Sequence, residues 1–498
     1  MPVRLLFTVL GRALLIGTAG LTLLATSRDV IAVEAKFEPV SGQRQLFLDD
    51  VGIEKIRSLT RTLHQPIKKG PVIRPTWPVE SYIQTRSVPA WDPEAGIWKI
   101  WLFPSGDYPG TAYAESKDGL HWTKPSIGQV EVNGSRDNNY ITIDEKLTWP
   151  ANLIINVVRD PHDPDPARRF KGLGHAHGRE PMVSADGIHW KRLNVPKIDS
   201  RDESNMSYDP VKREFIATVK TRGDFGRSHA ITTSKDFEHW TAPRLFFQAD
   251  KRDQEICLEK IKARRANPQR QQMVADDPKR YNADVYNVGV FRYESLYIGM
   301  PVLYYATGPS EDGRNTDGFK EIQLAVSRDL VDWKRLANRQ PFIPPSPIGT
   351  GAFDLTGMIA PSNAVVRGEE LWFYYSSSKY RRAPPDAEPD KGAVSLAVLR
   401  RDGFMSLDAD DQPGSVLTRP LQMPGSQLFV NVDAPRGKLH VEVLDQQSKV
   451  VARSKPLSGN LLRGKVEWET GDVASVSGRM INLRFTLRRG RLYSYWVE

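Results

Sequence analysis

Apolar and polar positions alternate with a period of two along most of this chain, in short runs closed by turn residues. Thr111-Ala-Tyr113-Ala, Ile97-Trp-Lys-Ile-Trp101-Leu-Phe, Glu214-Phe-Ile-Ala-Thr-Val219 and Glu370-Leu-Trp-Phe-Tyr-Tyr375 are of this kind. That period is a strand's, so the pattern predicts an all-β chain. Between the runs one phrase recurs: Ser116-Lys-Asp118-Gly-Leu-His-Trp122, Ser184-Ala-Asp186-Gly-Ile-His-Trp190, Ser234-Lys-Asp236-Phe-Glu-His-Trp240 and Ser327-Arg-Asp329-Leu-Val-Asp-Trp333. Ser and Asp side chains bond nearby backbone amides and fix tight turns, while Trp is a large apolar wedge. The phrase therefore reads as a structural corner between two strands. Arg401-Asp-Gly-Phe404 is a degenerate fifth copy.

Five such units predict a five-bladed β-propeller over residues 36–408, whose leading segment, 37–75, helps to close it. Asp92-Pro93, Asp160-Pro161 and Asp209-Pro210 fall after three inner strands and read as turns. Residues 250–280 break the rhythm with a charged run that fits no strand and predict a helical or mobile insertion. After residue 409 the grammar changes: Leu428-Phe-Val-Asn431, Lys438-Leu-His-Val-Glu-Val-Leu444 and Ile481-Asn-Leu-Arg-Phe-Thr-Leu487 alternate cleanly. They predict a small β-sandwich over 409–498.

Length changes this picture little, since 498 residues accommodate a repeat domain plus a smaller one. The single cysteine, Cys257, excludes an internal disulfide. A basic start (Arg4, Arg12) followed by the apolar run Ala13–Ala25 predicts a signal peptide, residues 1–35, and a secreted or periplasmic protein. A retained membrane anchor is the alternative, although the run is shorter than the roughly 20 residues that span a bilayer. The formal charge of +9 suits an anionic polysaccharide or membrane surface as well as a merely soluble basic face. No zinc-finger, phosphate-loop or dinucleotide motif is present, and nucleic acid is not an expected partner.

With these corners, the Arg401–Phe404 ending and the C-terminal alternation, the chain resembles the five-bladed propeller glycoside hydrolases of the invertase, levansucrase and arabinanase group. The resemblance implies a glycosidase acting on poly- or oligosaccharides in an axial funnel, with carboxylates near the starts of the inner strands. Glycosidic cleavage needs one protonated carboxyl for the leaving oxygen and one ionised carboxylate to attack or to activate water. The group's Trp-x-Asn-Asp-Pro and Glu-Cys motifs are absent, and Arg159-Asp160-Pro161 matches its Arg-Asp-Pro only in letters, at a turn position.

Counting blades in register puts Glu80, Asp202, Glu203 and Asp354 at inner-strand starts as the candidate catalytic carboxylates. Asp202 or Glu203 is the expected acid/base, opposed by Glu80 or Asp354. Trp77, Arg86, Asn152, Asp284, Tyr286 and Asn287 are the candidate substrate-binding residues. Arg86, Arg222 and Arg227 would read a carboxylate or sulfate, whose geometry a guanidinium fork matches. His175 and His177 share a strand face but lack a third partner, so no metal is expected there. No cofactor is expected, with a structural calcium ion left open. The expected partner is a carbohydrate, anionic or neutral, met by a monomer. A propeller that binds glycan without cleaving it is the alternative function.

Overall fold

The repeated phrase folds alike in all four copies of the computed structural model. In the first, Ser116 Oγ accepts the Gly119 amide at 2.9 Å and Asp118 Oδ1 accepts the amides of Leu120 and His121, each at 2.8 Å. Asp118 Oδ2 meets His121 Nδ1 at 2.7 Å, and Trp122 Nε1 donates to the Gly119 carbonyl at 2.9 Å. The copies at 184–190, 234–240 and 327–333 repeat the Ser, Asp and Trp bonds.

The residue after Asp is left-handed in each: Gly119 (φ 75°), Gly187 (φ 80°), Phe237 (φ 69°) and Leu330 (φ 67°). The two glycines have a further reason. A Cβ on Gly187 would lie 2.5 Å from Trp101 Cζ2, and one on Gly119 would lie 2.7 Å from Tyr374 Oη. Both aromatic residues come from neighbouring sheets and donate to these same turns, at 2.7 Å and 2.8 Å. Where no such neighbour arrives, Phe237 and Leu330 bury their own side chains. The degenerate copy differs. There the left-handed residue is Asp402 itself (φ 62°), buried and bonded to Arg44, Tyr293 and Ser494 at 2.7, 2.6 and 2.6 Å. It is a junction, with no corner of the repeated kind.

The structure describes residues 37–498 except 77–78, 107, 145, 147–150, 176, 310–315, 385–386 and 477. The segment read as a signal peptide lies outside the described residues. The fold is all-β, with one α-helix, Lys251–Arg265, among them. This helix is the charged insertion; Asp250 caps its first turn and Ile256, Cys257 and Ile261 face the core.

Five groups of antiparallel strands follow one another, the first and last joined into one ten-stranded sheet by a parallel bridge between Tyr82 and Gly392. The middle three are centred on Ile154–Arg159 to Trp190–Arg192, Ser204–Asp209 to Arg244–Phe247, and Asn282–Tyr293 to Lys334–Arg335. The first runs from Glu80–Gln84 through Ile97–Gly106 and Thr111–Ser116. The last joins Gly357–Ile359, Glu370–Ser378 and Gly392–Arg400, and Ile67–Ile73 from near the start of the chain completes it.

Five apolar cores each join two successive units. Trp101 packs with Phe170, Leu173 with Phe215, Ile231 with Val285, Met300 with Phe373, and Tyr374 with Ile100, which closes the circle. Polar bonds between the inner strands close it again. The Arg86 carbonyl accepts Asn156 Nδ2 at 3.2 Å and Ser362 Oγ at 2.6 Å; Asn156 Nδ2 reaches the Ser204 carbonyl at 2.9 Å, and Asn205 Nδ2 reaches Ser362 Oγ at 3.0 Å. Asn287 donates to Asn205. Most of these buried amides and hydroxyls find a partner across the centre; Asn287 Oδ1 does not.

The nine described strands from Met405–Ala409 onward belong to a twelve-stranded hydrogen-bonded network around a separate core. Its make-up differs from the sequence expectation at the other end of the chain. Gln45–Leu46, Ile53–Arg57 and Thr60–Leu63 pair with Gly490–Val497, Gly414–Thr418 and Met405–Ala409, so most of the leading segment belongs here. Only Ile67–Ile73 joins the ring of units.

Candidate functional site

Three Asp-Pro turns stand at one end of the inner strands. Asp92, Asp160 and Asp209 each accept a backbone amide two residues on, at 3.1, 2.9 and 2.9 Å. Asp160, whose neighbours spell the invertase-like Arg-Asp-Pro, therefore closes a turn. The opposite ends carry the chemistry.

Asp202 and Glu203 precede the strand Ser204–Asp209. Asp202 is left-handed (φ 62°), a conformation that costs most residues energy and that Asp tolerates better than most. Buried Arg179 holds the bend: its guanidinium donates to the Asp202 carbonyl, to Ser204 Oγ at 2.6 Å and to the His175 carbonyl at 2.7 Å. The bend points the two successive carboxylates to different partners. Glu203, 2% exposed, takes both arms of the Arg86 guanidinium at 2.5 and 2.8 Å. Asp202, with 60% of its side chain exposed, pairs with Lys220.

The third carboxylate is Asp284, on Asn282–Tyr293. Arg227 donates to its Oδ2 at 2.9 Å, while its buried Oδ1 has no hydrogen-bond partner. Gly226 (φ 108°), at the turn of the facing hairpin, would bring a Cβ within 3.3 Å of Asp284 Oδ2, so a bare backbone covers the acid. Asp284, Arg227, Lys220, Arg222 and Arg201 line one depression of about 550 Å³. Asp202, Arg86, Gln84 and Phe103 line another of about 200 Å³.

Their environments drive the acids apart. Burial pushes the Asp284 carboxyl above the ordinary range, and the Arg227 and Lys220 cations offset this only in part. Burial also acts upward on Asp202, but Lys220, Arg86 and Lys320 outweigh it and hold the carboxyl below that range. Lys220 thus faces both. His229, buried and driven down to about 4 by desolvation, keeps a neutral ring whose Nε2 donates to the Tyr286 carbonyl at 3.1 Å.

Tyr286 is the centre of a cationic group. Lys220 Nζ, Arg227 Cζ, Lys320 Nζ and Arg381 Cζ lie 5.6, 5.7, 3.2 and 5.7 Å from its ring centre. Tyr304 packs against it edge-on at 5.8 Å.

Of the residues expected from the sequence, Asp202, Glu203, Arg86, Asp284 and Tyr286 come together here. Glu80 is held by Lys124 (2.5 Å), the Thr76 amide (2.7 Å) and Tyr140 (3.4 Å). Asp354 is held by Lys68 (2.6 Å) and Tyr375 (2.9 Å). None of the described hydrogen bonds joins either to Asp202, Glu203 or Asp284. Asn152 donates to Tyr108 at 2.6 Å and Asn287 belongs to the central polar ring. Trp77 lies outside the described residues. Lys220, Lys320, Arg381, Tyr304 and Arg179 are additions that the sequence reading missed. Among the described residues no cluster of three or more His, Cys, Asp or Glu is arranged to hold a metal ion.

No protein-family model matches the sequence, and no curated protein does. Solved structures similar to it include an N-acetylgalactosamine deacetylase from F. plautii, at 13% identity and TM-score 0.41, covering 70% of this chain and 97% of that one. A Bombyx mori family 32 β-fructofuranosidase is similar at 8% identity and TM-score 0.39, covering 86% and 93%. A Bacillus subtilis family 43 arabinoxylan arabinofuranohydrolase is similar at 9% identity and TM-score 0.36, covering 86% and 98%.

Proposed function

We propose that the five units are blades of a propeller whose open end cleaves glycosidic bonds, with Asp284 as the proton donor and Asp202 as the ionised carboxylate. The observation that carries this reading is geometric: Lys220 is paired with Asp202 and lines the same depression as Asp284, which is buried beside Arg227. The opposite directions in which burial and cations move the two carboxyls agree with one holding a proton while the other is charged, as hydrolysis requires. In this assignment Asp284 takes the proton-donating role that sequence reasoning gave to Asp202 or Glu203, and Asp202 takes that of the opposed carboxylate given to Glu80 or Asp354. Glu203 and Arg86 are positioning residues: Glu203 is buried and both of its carboxylate oxygens are taken by the one guanidinium.

The protonated Asp284 would protonate the leaving oxygen through its unbonded Oδ1. Asp202, open to water, would attack the anomeric carbon or deprotonate the attacking water. Tyr286, half-buried beside these acids and packed on buried Tyr304, is the aromatic contact for a sugar. Export through a cleaved N-terminal signal belongs to the same reading and would bring the protein to such substrates.

Leaving-group dependence tests the assignment. Asp284→Asn is expected to lower turnover of natural saccharides by about 10²- to 10⁴-fold, the usual contribution of a general acid. It should leave aryl glycosides with acidic phenol leaving groups far less affected, because these need no proton. Equal loss on both would remove Asp284 from this role. Glycan binding without turnover is the second reading, favoured by the salt bridge that each of the three acids already makes. Tight binding with no product from any saccharide would establish it.

A further inference from the structure

Five cations surround three acids at this site, and three of the cations are matched one to one: Arg86 with Glu203, Lys220 with Asp202, and Arg227 with Asp284. Arg381 bonds the Tyr304 hydroxyl. Lys320 is the remainder. It is 4% exposed, its backbone amide is used by the Thr356 carbonyl, and among the described residues its Nζ has neither a hydrogen-bond nor an ion-pair partner. Its contact is the Tyr286 ring at 3.2 Å. A buried ammonium left in this state is costly unless it sheds its proton or meets an anion. The groups facing it are Arg86, Arg227 and Arg381 on the cationic side, Asp202 and Glu203 on the anionic side, and the rings of Tyr286 and Tyr304, whose centres lie 3.2 and 5.8 Å away. Among the described groups around it, cations outnumber acids.

We propose that Lys320, flanked by Arg227 and Arg381 around the Tyr286–Tyr304 pair, is an oxyanion subsite that takes a singly charged substituent of the saccharide, a carboxylate or a sulfate ester. This rests on the saccharide reading of the site and narrows it to acidic sugars. A planar carboxylate or a sulfate suits two guanidinium forks and one ammonium arriving from different strands. Arrival of the anion also restores the balance that the empty site lacks. Burial and the Arg381 charge hold the free Lys320 amine well below its ordinary range, so binding should draw a proton onto it.

Calorimetry on the purified full chain tests this without requiring turnover. The probes are glucuronate, galacturonate and mannuronate against glucose, galactose and mannose, with glucose 6-sulfate and inorganic sulfate as further arms. At least one acidic sugar is expected to bind tenfold or more tightly than its neutral parent, with proton uptake seen as a binding heat that depends on the buffer's ionisation enthalpy. Lys320→Met should erase the preference while the melting temperature of the free protein stays level or rises, because an unmatched buried cation has been removed. Preference for the sulfated sugar over the uronates assigns the subsite to sulfate esters; the reverse assigns it to uronic acids. Equal binding of acidic and neutral sugars overturns the proposal, as does an unchanged preference in Lys320→Met. Inorganic sulfate binding as tightly as the sugars overturns its saccharide part. An acid preference in a protein that cleaves nothing would sink the hydrolytic reading and leave the subsite standing.

Discussion

At the scale of single residues, the most exacting positions are those where a corner meets a neighbouring sheet. Gly187→Ala would combine a left-handed side chain with a Cβ 2.5 Å from Trp101 Cζ2. The first effect costs about 1–2 kcal/mol and forcing an extra methyl into a filled core about 1–3. Gly96→Ala carries only the first, because its φ of 66° opens onto empty space. Urea unfolding should therefore separate the two variants by more than about 1 kcal/mol, with Gly187→Ala the weaker. Equal destabilisation would mean that Trp101 yields. Residue-level legibility was uneven for a physical reason. Counting blades singled out Asp202 and Glu203, but the same count also singled out Glu80 and Asp354, which Lys124 and Lys68 hold elsewhere. Lys320 was not found, since a lysine between Phe319 and Glu321 in an alternating run reads as a solvated face. Only the arrangement of five sheets buries it.

At the scale of elements, the corner motifs were legible in full because their bonds are local: each Ser and Asp serves amides within three residues. Those bonds also carry a pH dependence. Burial pushes the Asp186 carboxyl up, but the His189 amide and ring and the Ile188 amide outweigh it and hold it at about 2. A carboxyl lowered on folding stabilises the native state above its unfolded value and loses that contribution as pH falls through the folded one. The window for Asp186 thus runs from about 4 down to about 2. Across it the melting temperature of Asp186→Asn should fall less steeply than that of the wild type. A parallel fall would show that the corner is not among the acid-sensitive elements. The helix Lys251–Arg265 was anticipated only as a break in strand rhythm. Its apolar positions, Ile256, Cys257 and Ile261, are too few to announce a helical face.

At the scale of the whole molecule, the sequence reading located a closing segment but assigned most of it to the wrong partner sheet. The strands Gln45–Leu46, Ile53–Arg57 and Thr60–Leu63 are short and polar, and no local pattern says whether such strands pair with the ring or with the C-terminal network. Their placement depends on contacts hundreds of residues apart. Asp402 is the residue where those contacts meet, bonding Arg44 from the leading segment, Tyr293 from the fourth unit and Ser494 from the last strand. Asp402→Ala would strand the Arg44 charge in a buried site, at a cost of about 3–5 kcal/mol. A loss below about 1 kcal/mol in equilibrium unfolding would show that the junction is dispensable.

A hydrolytic carboxylate pair at the open end of this ring of sheets has to show itself in bond cleavage. Its most direct test is the release of new reducing ends from a panel of neutral, uronic-acid and sulfated oligosaccharides by the purified protein, beside Asp202→Asn, Asp284→Asn and Glu80→Gln. The account predicts cleavage of at least one acidic saccharide, lost in the first two variants and retained in the third. Cleavage that survives in Asp202→Asn and Asp284→Asn, or that disappears only in Glu80→Gln, would contradict it.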